Sequence, residues 1–181
     1  MQLSDRDILR EINSGNLYIS DIDYEVDIQP ASVDLKLGPD VLTKSLVPLS
    51  GDSPWSKLSL NESHDNSVRL GSKFYLASTK NFVKLPDNIC GRVEGKSTIG
   101  RNGLQVHMTA GFIDPGFEGN ITLELLNSSG SGITISLGTK ICQISFYYLN
   151  SPCINKYGSE GLNSHYQFQD GVTEPHVNLS E

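Results

Sequence analysis

The sequence predicts a mainly β domain with a short helix at its N-terminus. Its apolar residues fall in many short runs of strand length, and turn-forming residues separate the runs, with 17 glycines among 181 residues. Many short strands at near-even spacing are typical of a β-barrel or sandwich. A chain of this length buries a core without disulfides or metal, so we expect residues 1–181 to form a single domain.

The N-terminal helix is predicted from a capping residue and an apolar period. Ser4 precedes Ile8 and Ile12, which are spaced for one helical face, and Gly15 follows them. Serine is a preferred first residue because its hydroxyl accepts a hydrogen bond from a free backbone N–H, and glycine is common just past the last turn. We expect this helix to have a structural role.

The first clear strand follows the helix. In it, the apolar residues Val33, Leu35 and Leu37 alternate with charged residues. Successive side chains of a strand point to opposite faces. Asp34 and Lys36 are therefore predicted on the face opposite the apolar one.

The remaining elements are short strands, loops and one short helix. Residues 47–67 are largely polar and predict a long loop with room for one strand, and residues 97–104 are a candidate short helix. Strands are predicted at 74–79, 89–93, 105–109, 121–126, 133–135 and 140–149.

Charge and cysteine content exclude several classes of protein. A net charge of −7 argues against a large nucleic-acid-binding face, which must neutralise many phosphates. The N-terminal segment is charged throughout and has no apolar run for a signal peptide or a membrane span, so we expect an intracellular protein with no membrane contact. Cys90, Cys142 and Cys153 form no Cys-x-x-Cys pair and are predicted to be reduced structural thiols.

Two segments carry residues suited to chemistry. In the strand predicted at 121–126, Thr122 and Glu124 share the face opposite the apolar residues, although a solvated strand glutamate is the default interpretation. Upstream, the segment from Gly95 to Arg101 combines a lysine, two hydroxyls and a guanidinium with glycines, a composition suited to phosphate oxygens. That segment does not have the spacing of a Walker P-loop.

A turn stands between these segments. Asp114 opens an Asp-Pro-Gly sequence, in which aspartate often serves only to form the turn through its own backbone hydrogen bonds. Taken alone, this structural interpretation of Asp114 is favoured.

The order and spacing of residues 95–124 resemble the dCTP deaminase family, which is related to the trimeric dUTPases. The resemblance extends to residues 29–38, to Lys140-Ile-Cys-Gln143, and to Tyr157 with His165-Tyr-Gln-Phe-Gln169. It implies a dUTPase-like distorted β-barrel or jelly roll. It also implies a homotrimer with active sites between subunits, in which residues 155–181 form a C-terminal tail that covers the nucleotide.

The resemblance assigns four catalytic residues. It implies that Glu124 is the general base that takes a proton from the water attacking C4 of cytosine. Ser97 would orient that water and Arg101 would stabilise the developing charge, both from an adjacent subunit. Asp114 would place a second water near the α-phosphate.

The resemblance also implies a set of nucleotide-binding residues. They are Lys96, Ser97, Thr98, Arg101, Asp114, Thr122, Leu123, Glu124, Gln143, Tyr157, His165, Tyr166 and Gln169. Two of them depart from the family pattern, because Lys96 stands where arginine is frequent and His165 where lysine is usual. Mg²⁺ is expected to arrive with the triphosphate, and dTTP is a candidate inhibitor.

The product is predicted from a short stretch of the same segment. Gly111 and Phe112 resemble the bifunctional, dUMP-forming members of the family, in which dCTP deamination is followed by diphosphate release at one site. Monofunctional members, which give dUTP, commonly carry larger polar residues there. A turn that requires glycine is the structural alternative for Gly111.

Three other classes of protein process or bind similar nucleotides. A zinc-dependent cytidine deaminase needs a His-x-Glu pair and a Pro-Cys-x-x-Cys run, whereas the run that starts at Pro152 ends in Lys156, so zinc is not expected. A dUTPase without deaminase activity would share the fold, but the tail lacks the glycine-rich motif of dedicated dUTPases. A nucleotide-binding regulator without turnover is the alternative from a different class.

Overall fold

The computed structural model describes residues 1–44, 54–59 and 66–176. Strands make up most of the regular structure within these ranges, which confirms the predicted mainly β class. The helices are α1 (Asp5–Asn13) and α2 (Ser97–Arg101). The strands are β1 (Tyr18–Ile19), β2 (Ile28–Gln29), β3 (Ser32–Lys44), β4 (Trp55–Lys57), β5 (Ser67–Leu70), β6 (Phe74–Lys84), β7 (Ile89–Gly95), β8 (Leu104–Gln105), β9 (Phe112–Ile113), β10 (Glu118–Asn127), β11 (Ile133–Ser136) and β12 (Lys140–Tyr148).

Helix α1 begins where the sequence predicted. The Ser4 hydroxyl accepts a hydrogen bond from the backbone N–H of Asp7, and the Asp7 carboxylate accepts one from the backbone N–H of Ser4. This reciprocal pair satisfies two donors that the first turn leaves free. Ile8 packs into the core from the same helix.

Most strands join one curved antiparallel sheet. Its order is β8-β10-β6-β3-β12-β7-β9, with β1 added on β6 and β2 and β4 added on β3, while β5 and β11 pair separately. Strand β3 is central because its first half pairs with β12 and its second half with β6. The strand therefore links the two halves of the sheet.

Glycine is required where β3 changes partners. The pairing of β3 with β6 shifts register between Leu37 and Val41. A Cβ at Gly38 would lie 2.7 Å from the Oγ and 3.0 Å from the carbonyl oxygen of Ser78 on β6. Any larger residue would force the two strands apart at this point.

The predicted elements agree with the structure in most places. Strands β6, β7, β10, β11 and β12 occupy the predicted segments, and α2 begins at the predicted Ser97. Within the predicted loop at 47–67, β4 is present and β5 begins at Ser67, while residues 47–53 and 60–65 lie outside the described residues. The sequence did not predict β1, β2, β5 and β9.

The strand predicted at 105–109 was wrong beyond Gln105, where β8 ends. The backbone N–H of Met108 donates to a side chain, the carboxylate of Glu124, and Thr109 has a φ of 69°. A residue in the left-handed region ends a strand because it turns the chain out of the extended conformation.

The core consists mainly of residues from the strands, and Ile8 of α1 also contributes to it. Strands β3, β10 and β12 contribute Leu35, Leu123, Leu125, Ile144 and Phe146, which are at most 1% exposed. Burying each of these side chains contributes roughly 2 kcal/mol.

The thiols of Cys90 and Cys142 are buried and unreactive. Burial raises the pKa of Cys142 to about 12 and also raises that of Cys90, so both thiols stay protonated at neutral pH. Cys90, Cys142 and Cys153 are all free, as predicted. Among the described residues, no helix combines the length and the apolar character needed to cross a membrane.

Candidate active site

The candidate site is built on the polar face of β10. Ile121, Leu123 and Leu125 are buried, and they alternate with half-buried residues on the opposite face. Two of those, Thr122 and Glu124, line a cavity of about 320 Å³. The alternation predicted from the sequence is thus confirmed, and Glu124 faces a cavity rather than bulk solvent.

The cavity lies between β10, the 110–117 segment and the C-terminal residues. Its volume falls in the range of small-molecule sites. It is lined by Leu76, Ala110, Phe112, Ile113, Asp114, Phe117, Ile121, Thr122, Glu124, Tyr157, Tyr166, Gln169, Thr173 and Pro175. A second cavity of about 590 Å³ adjoins it, because Phe112, Asp114, Tyr157 and Tyr166 line both.

One carboxylate oxygen of Glu124 is held by the backbone. Its Oε2 accepts a hydrogen bond of 2.7 Å from the N–H of Met108. This N–H is available to a side chain because Met108 lies beyond the end of β8, outside the strands. The bond fixes the carboxylate in the cavity, where it can accept a proton from a bound water.

Asp114 combines a turn and an exposed carboxylate. Its carbonyl accepts a hydrogen bond of 3.2 Å from the N–H of Phe117, and Gly116 has a φ of 86°, the geometry of a type II turn with Pro115 at its second position. The backbone of Asp114 makes the turn, while its exposed side chain lines both cavities.

The C-terminal residues close one side of the cavity. The hydroxyl of Tyr157 accepts a hydrogen bond from the N–H of Tyr166 at 3.1 Å, and the Tyr157 ring packs against Phe117 with centroids 6.0 Å apart. The Thr122 hydroxyl donates to the side chain of Gln169 at 2.9 Å. Three residues expected from the tail, Tyr157, Tyr166 and Gln169, therefore line the cavity together with β10.

The tail is also bonded to the backbone of β10. The N–H of Phe168 donates to the carbonyl of Glu118, and the N–H of Asn120 donates to the carbonyl of Gln169. Asn120 additionally accepts from the N–H of Gly171 through its side-chain oxygen at 3.1 Å.

The expected residues of α2 do not line this cavity. Ser97, Thr98 and Arg101 are exposed on α2, and Lys96, which precedes the helix, forms an ion pair with Asp34 of β3. Gln143 lies beside them and donates to the carbonyl of Gly95 at 3.3 Å. The structure thus separates the predicted site residues into a cavity group and an α2 group.

The other expected residues have varied surroundings. Leu123 lies in the core, so its side chain does not line the cavity. Phe112 is 60% exposed at the cavity rim, and a Cβ at the buried Gly111 would lie 2.7 Å from the carbonyl oxygen of Val93. His165 lines the second cavity and stacks on His176 with ring centroids 3.8 Å apart.

The charges of the cavity do not suit an anion by themselves. Asp114 and Glu124 line it, whereas no lysine or arginine occurs among the described residues of its lining. Among the described residues, no group of three or more His, Cys, Asp or Glu side chains could hold a metal ion. A triphosphate bound here would need positive charge from outside this lining.

Sequence reasoning missed two residues that shape the site. Asn120 occupies the same face of β10 as Thr122 and Glu124, so extending the two-residue period backwards would have found it. Asp34 was predicted on a polar face, yet it is only 2% exposed because Lys96 and Lys140 cover it.

The fold and cavity together define a β-sheet protein with a small-molecule site that contains two carboxylates. The profile of the dCTP deaminase-like family matches residues 2–149 of the sequence. The chain belongs to this family.

Related proteins agree with this assignment. The protein is 42% identical to a dUMP-forming dCTP deaminase of Methanosphaera stadtmanae, over 93% of this chain and 90% of the relative. It is 41% identical to a dUMP-forming dCTP deaminase of Dictyoglomus thermophilum, over 99% of this chain and 96% of the relative.

A solved structure supports the fold. The crystal structure of 2′-deoxycytidine 5′-triphosphate deaminase from Agrobacterium tumefaciens superposes with a TM-score of 0.63 and 22% identity. The match covers 82% of this chain and 48% of that one, so this protein spans about half of its length.

Proposed function

We propose that the protein converts dCTP to dUMP by two hydrolyses at one site, deamination of the cytosine and release of diphosphate. The observation that carries the proposal is the cavity in which β10 and the 110–117 segment present two carboxylates, Glu124 and Asp114. Each can activate one water. The relatives at 42% and 41% identity, named as dUMP-forming dCTP deaminases, support the same reaction.

Glu124 is the general base of the deamination. Its carboxylate takes a proton from a water while the water oxygen bonds to C4 of cytosine, and the proton is then passed to the departing amino group. The C4–N bond breaks, ammonia leaves, and the ring becomes uracil. Ser97 orients the water and Arg101 stabilises charge that develops on the ring.

Asp114 serves the second hydrolysis. Its exposed carboxylate positions a water for attack on the α-phosphorus, where a P–O bond forms and the bond to the diphosphate breaks. The products are dUMP and diphosphate. Gly111 and Phe112 lie beside Asp114 and leave the rim of the cavity without a large polar side chain.

The site is completed by a second copy of the chain in a homotrimer. The cavity lining described here offers two carboxylates and no cation, while Ser97 and Arg101 stand exposed on α2 outside it. An α2 contributed by a neighbouring subunit supplies both the hydroxyl and the guanidinium that the reaction needs. Closed homo-oligomers commonly build sites in this way.

Mg²⁺ fits this site as a companion of the nucleotide. Phosphate oxygens are ligands that Mg²⁺ prefers, so the ion would be held through the triphosphate and not by protein side chains. Bound with the triphosphate, Mg²⁺ would neutralise part of its charge beside the acidic lining.

Residues 155–181 are the tail proposed to cover the nucleotide, and residues 177–181 of it lie outside the described residues. Tyr157, Tyr166 and Gln169 lie over the cavity that would hold it, and His165 stands at the adjoining cavity. A nucleotide with the same sugar and triphosphate, such as dTTP, is expected to compete for this space.

The test is a product time course. Purified protein is incubated with dCTP and Mg²⁺ while ammonia, dUTP, dUMP and diphosphate are measured together, with Glu124→Gln as the control for contaminating deaminases. Ammonia, dUMP and diphosphate in equal amounts are expected. Accumulating dUTP would mean a deaminase that stops at the first step.

The absence of ammonia would overturn the deaminase proposal. A parallel incubation with dUTP then distinguishes the remaining functions. Formation of dUMP would indicate a dUTPase, and binding of dUTP without turnover would indicate a nucleotide-binding protein.

A further inference from the structure

A buried cluster of charges lies beside α2 and outside the cavity. Asp27 and Asp34 are 1% and 2% exposed, and three lysines surround them. Lys36 and Lys140 lie 2.6 Å and 2.8 Å from the Asp27 carboxylate. Burying a carboxylate is energetically unfavourable unless a cation pairs with it. Each ion pair therefore holds its lysine in place.

Lys96 belongs to this cluster and not to the cavity. Its ammonium pairs with Oδ1 of Asp34, and the other oxygen of Asp34 lies 3.5 Å from Lys140. If Lys96 turned away to bind a phosphate, Asp34 would keep only this longer contact while remaining buried. Leaving a buried charge without a close partner is strongly unfavourable.

The same segment is held at a second point. Gln143 of β12 donates to the carbonyl of Gly95 at 3.3 Å and accepts a hydrogen bond of 3.0 Å from the hydroxyl of Ser32. Gly95 and Lys96 immediately precede α2. The start of α2 is therefore fixed to β3 through Asp34 and to β12 through Gln143.

Helix α2 depends on these anchors because it has few of its own. Lys96 stands at the N-cap position without a side-chain capping bond, and no residue of the helix is fully buried. Ile99 packs only partly against the core. A helix of this kind keeps its position mainly through the segment that leads into it.

We propose that Asp34 is a positioning residue for the deamination, because it holds Lys96 and thereby fixes Ser97 and Arg101 at the start of α2. Lys96 links the buried carboxylate of Asp34 to the start of α2. This proposal rests on the proposed function, in which Ser97 and Arg101 act on the cytosine.

The kinetic test compares Asp34→Asn, Lys96→Met and the double variant. We expect each single variant to lower kcat for ammonia release about 10-fold to 100-fold, the usual loss when a group that orients a reacting residue is removed. KM for dCTP should change little. The double variant should be no slower than either single one, because both changes break the same link.

Two further variants serve as controls. Lys36→Met removes a lysine of the same cluster that pairs with Asp27 and not with Asp34, and it should keep the kcat of the wild type. Lys96→Arg retains a cation for Asp34 and should restore most of the activity. A rise in KM with Lys96→Met, at unchanged kcat and without the same change in Asp34→Asn, would overturn the proposal.

A second measurement needs no turnover. Hydrogen exchange of the peptide that spans α2 should be faster in Asp34→Asn and Lys96→Met than in the wild type, and unchanged in Lys36→Met. Unchanged exchange in both anchor variants would refute the positioning role. If the wild type releases no ammonia but both anchor variants still exchange faster than it does, the anchoring of α2 would stand and the proposed function would be rejected.

Discussion

Glu124 is positioned by the two-residue period of β10 and by one backbone hydrogen bond. The strand points its side chain away from Leu123 and Leu125, and the N–H of Met108 holds Oε2 at 2.7 Å. A carboxylate fixed in this way needs no rearrangement before it accepts a proton, which is how preorganised groups lower a barrier. The position of the proposed base therefore depends on the loop that contains Met108 as well as on the strand.

Replacement of Glu124 by glutamine separates the two hydrolyses. The amide can keep the hydrogen bond from Met108 but cannot take a proton from water. The rate of ammonia release should therefore fall about 100-fold to 10,000-fold. Hydrolysis of dUTP to dUMP should continue, because Asp114 is unchanged. Both rates are measured on the same preparation.

Affinity for dCTP is the control for this variant. It should stay near that of the wild type, since the substitution preserves the size of the side chain. Ammonia release at the full rate would show that Glu124 is not the base.

The sequence predicted single residues where a local period or turn determines their environment. Alternation along a strand was sufficient for Thr122 and Glu124, and the Asp-Pro-Gly order was sufficient for the turn at Asp114. The same reasoning failed for Asp34, because the groups that bury it, Lys96 and Lys140, lie more than sixty residues further along the chain. No local pattern contains that contact.

At the scale of elements, strand β10 carries the proposed base and also binds the C-terminal tail. One face of the strand carries Asn120, Thr122 and Glu124 in succession. Asn120 accepts from Gly171, and Thr122 accepts from the N–H of Thr173 at 3.1 Å. A change in how the tail binds β10 therefore alters contacts next to the proposed catalytic carboxylate, Glu124.

Asn120 joins the tail to the sheet through its side chain. Its side-chain N–H₂ donates to the carbonyls of residues 79–81 on β6, and its oxygen accepts from Gly171. Asn120→Ala should raise KM for dCTP about fivefold, the effect of losing a hydrogen bond worth about 1 kcal/mol, with a smaller effect on kcat. Steady-state kinetics and hydrogen exchange of residues 157–176 measure the two consequences.

Asn16→Ala is a matched control for this variant. It also removes a hydrogen-bonded asparagine, whose partner is Glu11 of α1 and which does not line the cavity. It should leave KM and tail exchange unchanged. If Asn120→Ala behaves in the same way as Asn16→Ala, the tail is held by other contacts.

The elements with a clear period were predicted, and those without one were not. Helix α1 and strands β6, β10 and β12 are long enough to show a period or a sustained apolar run. A two-residue strand such as β9 shows no period, and its pairing with β7 is visible only once the sheet is formed. The strand predicted at 105–109 failed because the Met108 N–H bonds to a residue 16 positions away.

At the scale of the whole molecule, the buried charges link stability to pH. Burial alone would raise the pKa of Asp27, but hydrogen bonds from Lys140, Lys36 and the N–H of Asp23 lower it to about 2, below its ordinary value of 3.8. A depressed carboxyl pKa stabilises the folded state fully above pH 3.8, and this contribution is lost as the pH falls through about 2. For Asp27 it is about 2 kcal/mol.

Acid unfolding should reveal this contribution. Between pH 4 and pH 2, the free energy of unfolding of the wild type should fall more steeply than that of Asp27→Asn, by about 2 kcal/mol over the interval. Urea unfolding at several pH values and one protein concentration measures the difference. Asp87→Asn, at an exposed carboxylate, is the matched control and should retain the wild-type slope. Parallel slopes for wild type and Asp27→Asn would mean that Asp27 does not carry this dependence.

The arrangement of the two residue groups leads to a test of the assembled molecule. Glu124 lines the cavity, whereas Ser97 stands on the exposed α2 outside its lining. In the proposed trimer, a Ser97→Ala subunit and a Glu124→Gln subunit can together form one intact site, although each variant alone has none. A trimer that contains both variants has one intact site among its three, so purified mixed trimers should release ammonia at about one third of the wild-type rate.

Mixed trimers are prepared by co-expression with two different tags and purified on both. A subunit that carries both substitutions, mixed with Glu124→Gln, is the control and should remain inactive, because no site can then receive an intact glutamate. Verified mixed trimers of the two single variants that stay as inactive as each variant alone would place Ser97 and Glu124 in the same subunit's site. Recovery of activity would mean that the active site forms at the interface between two chains.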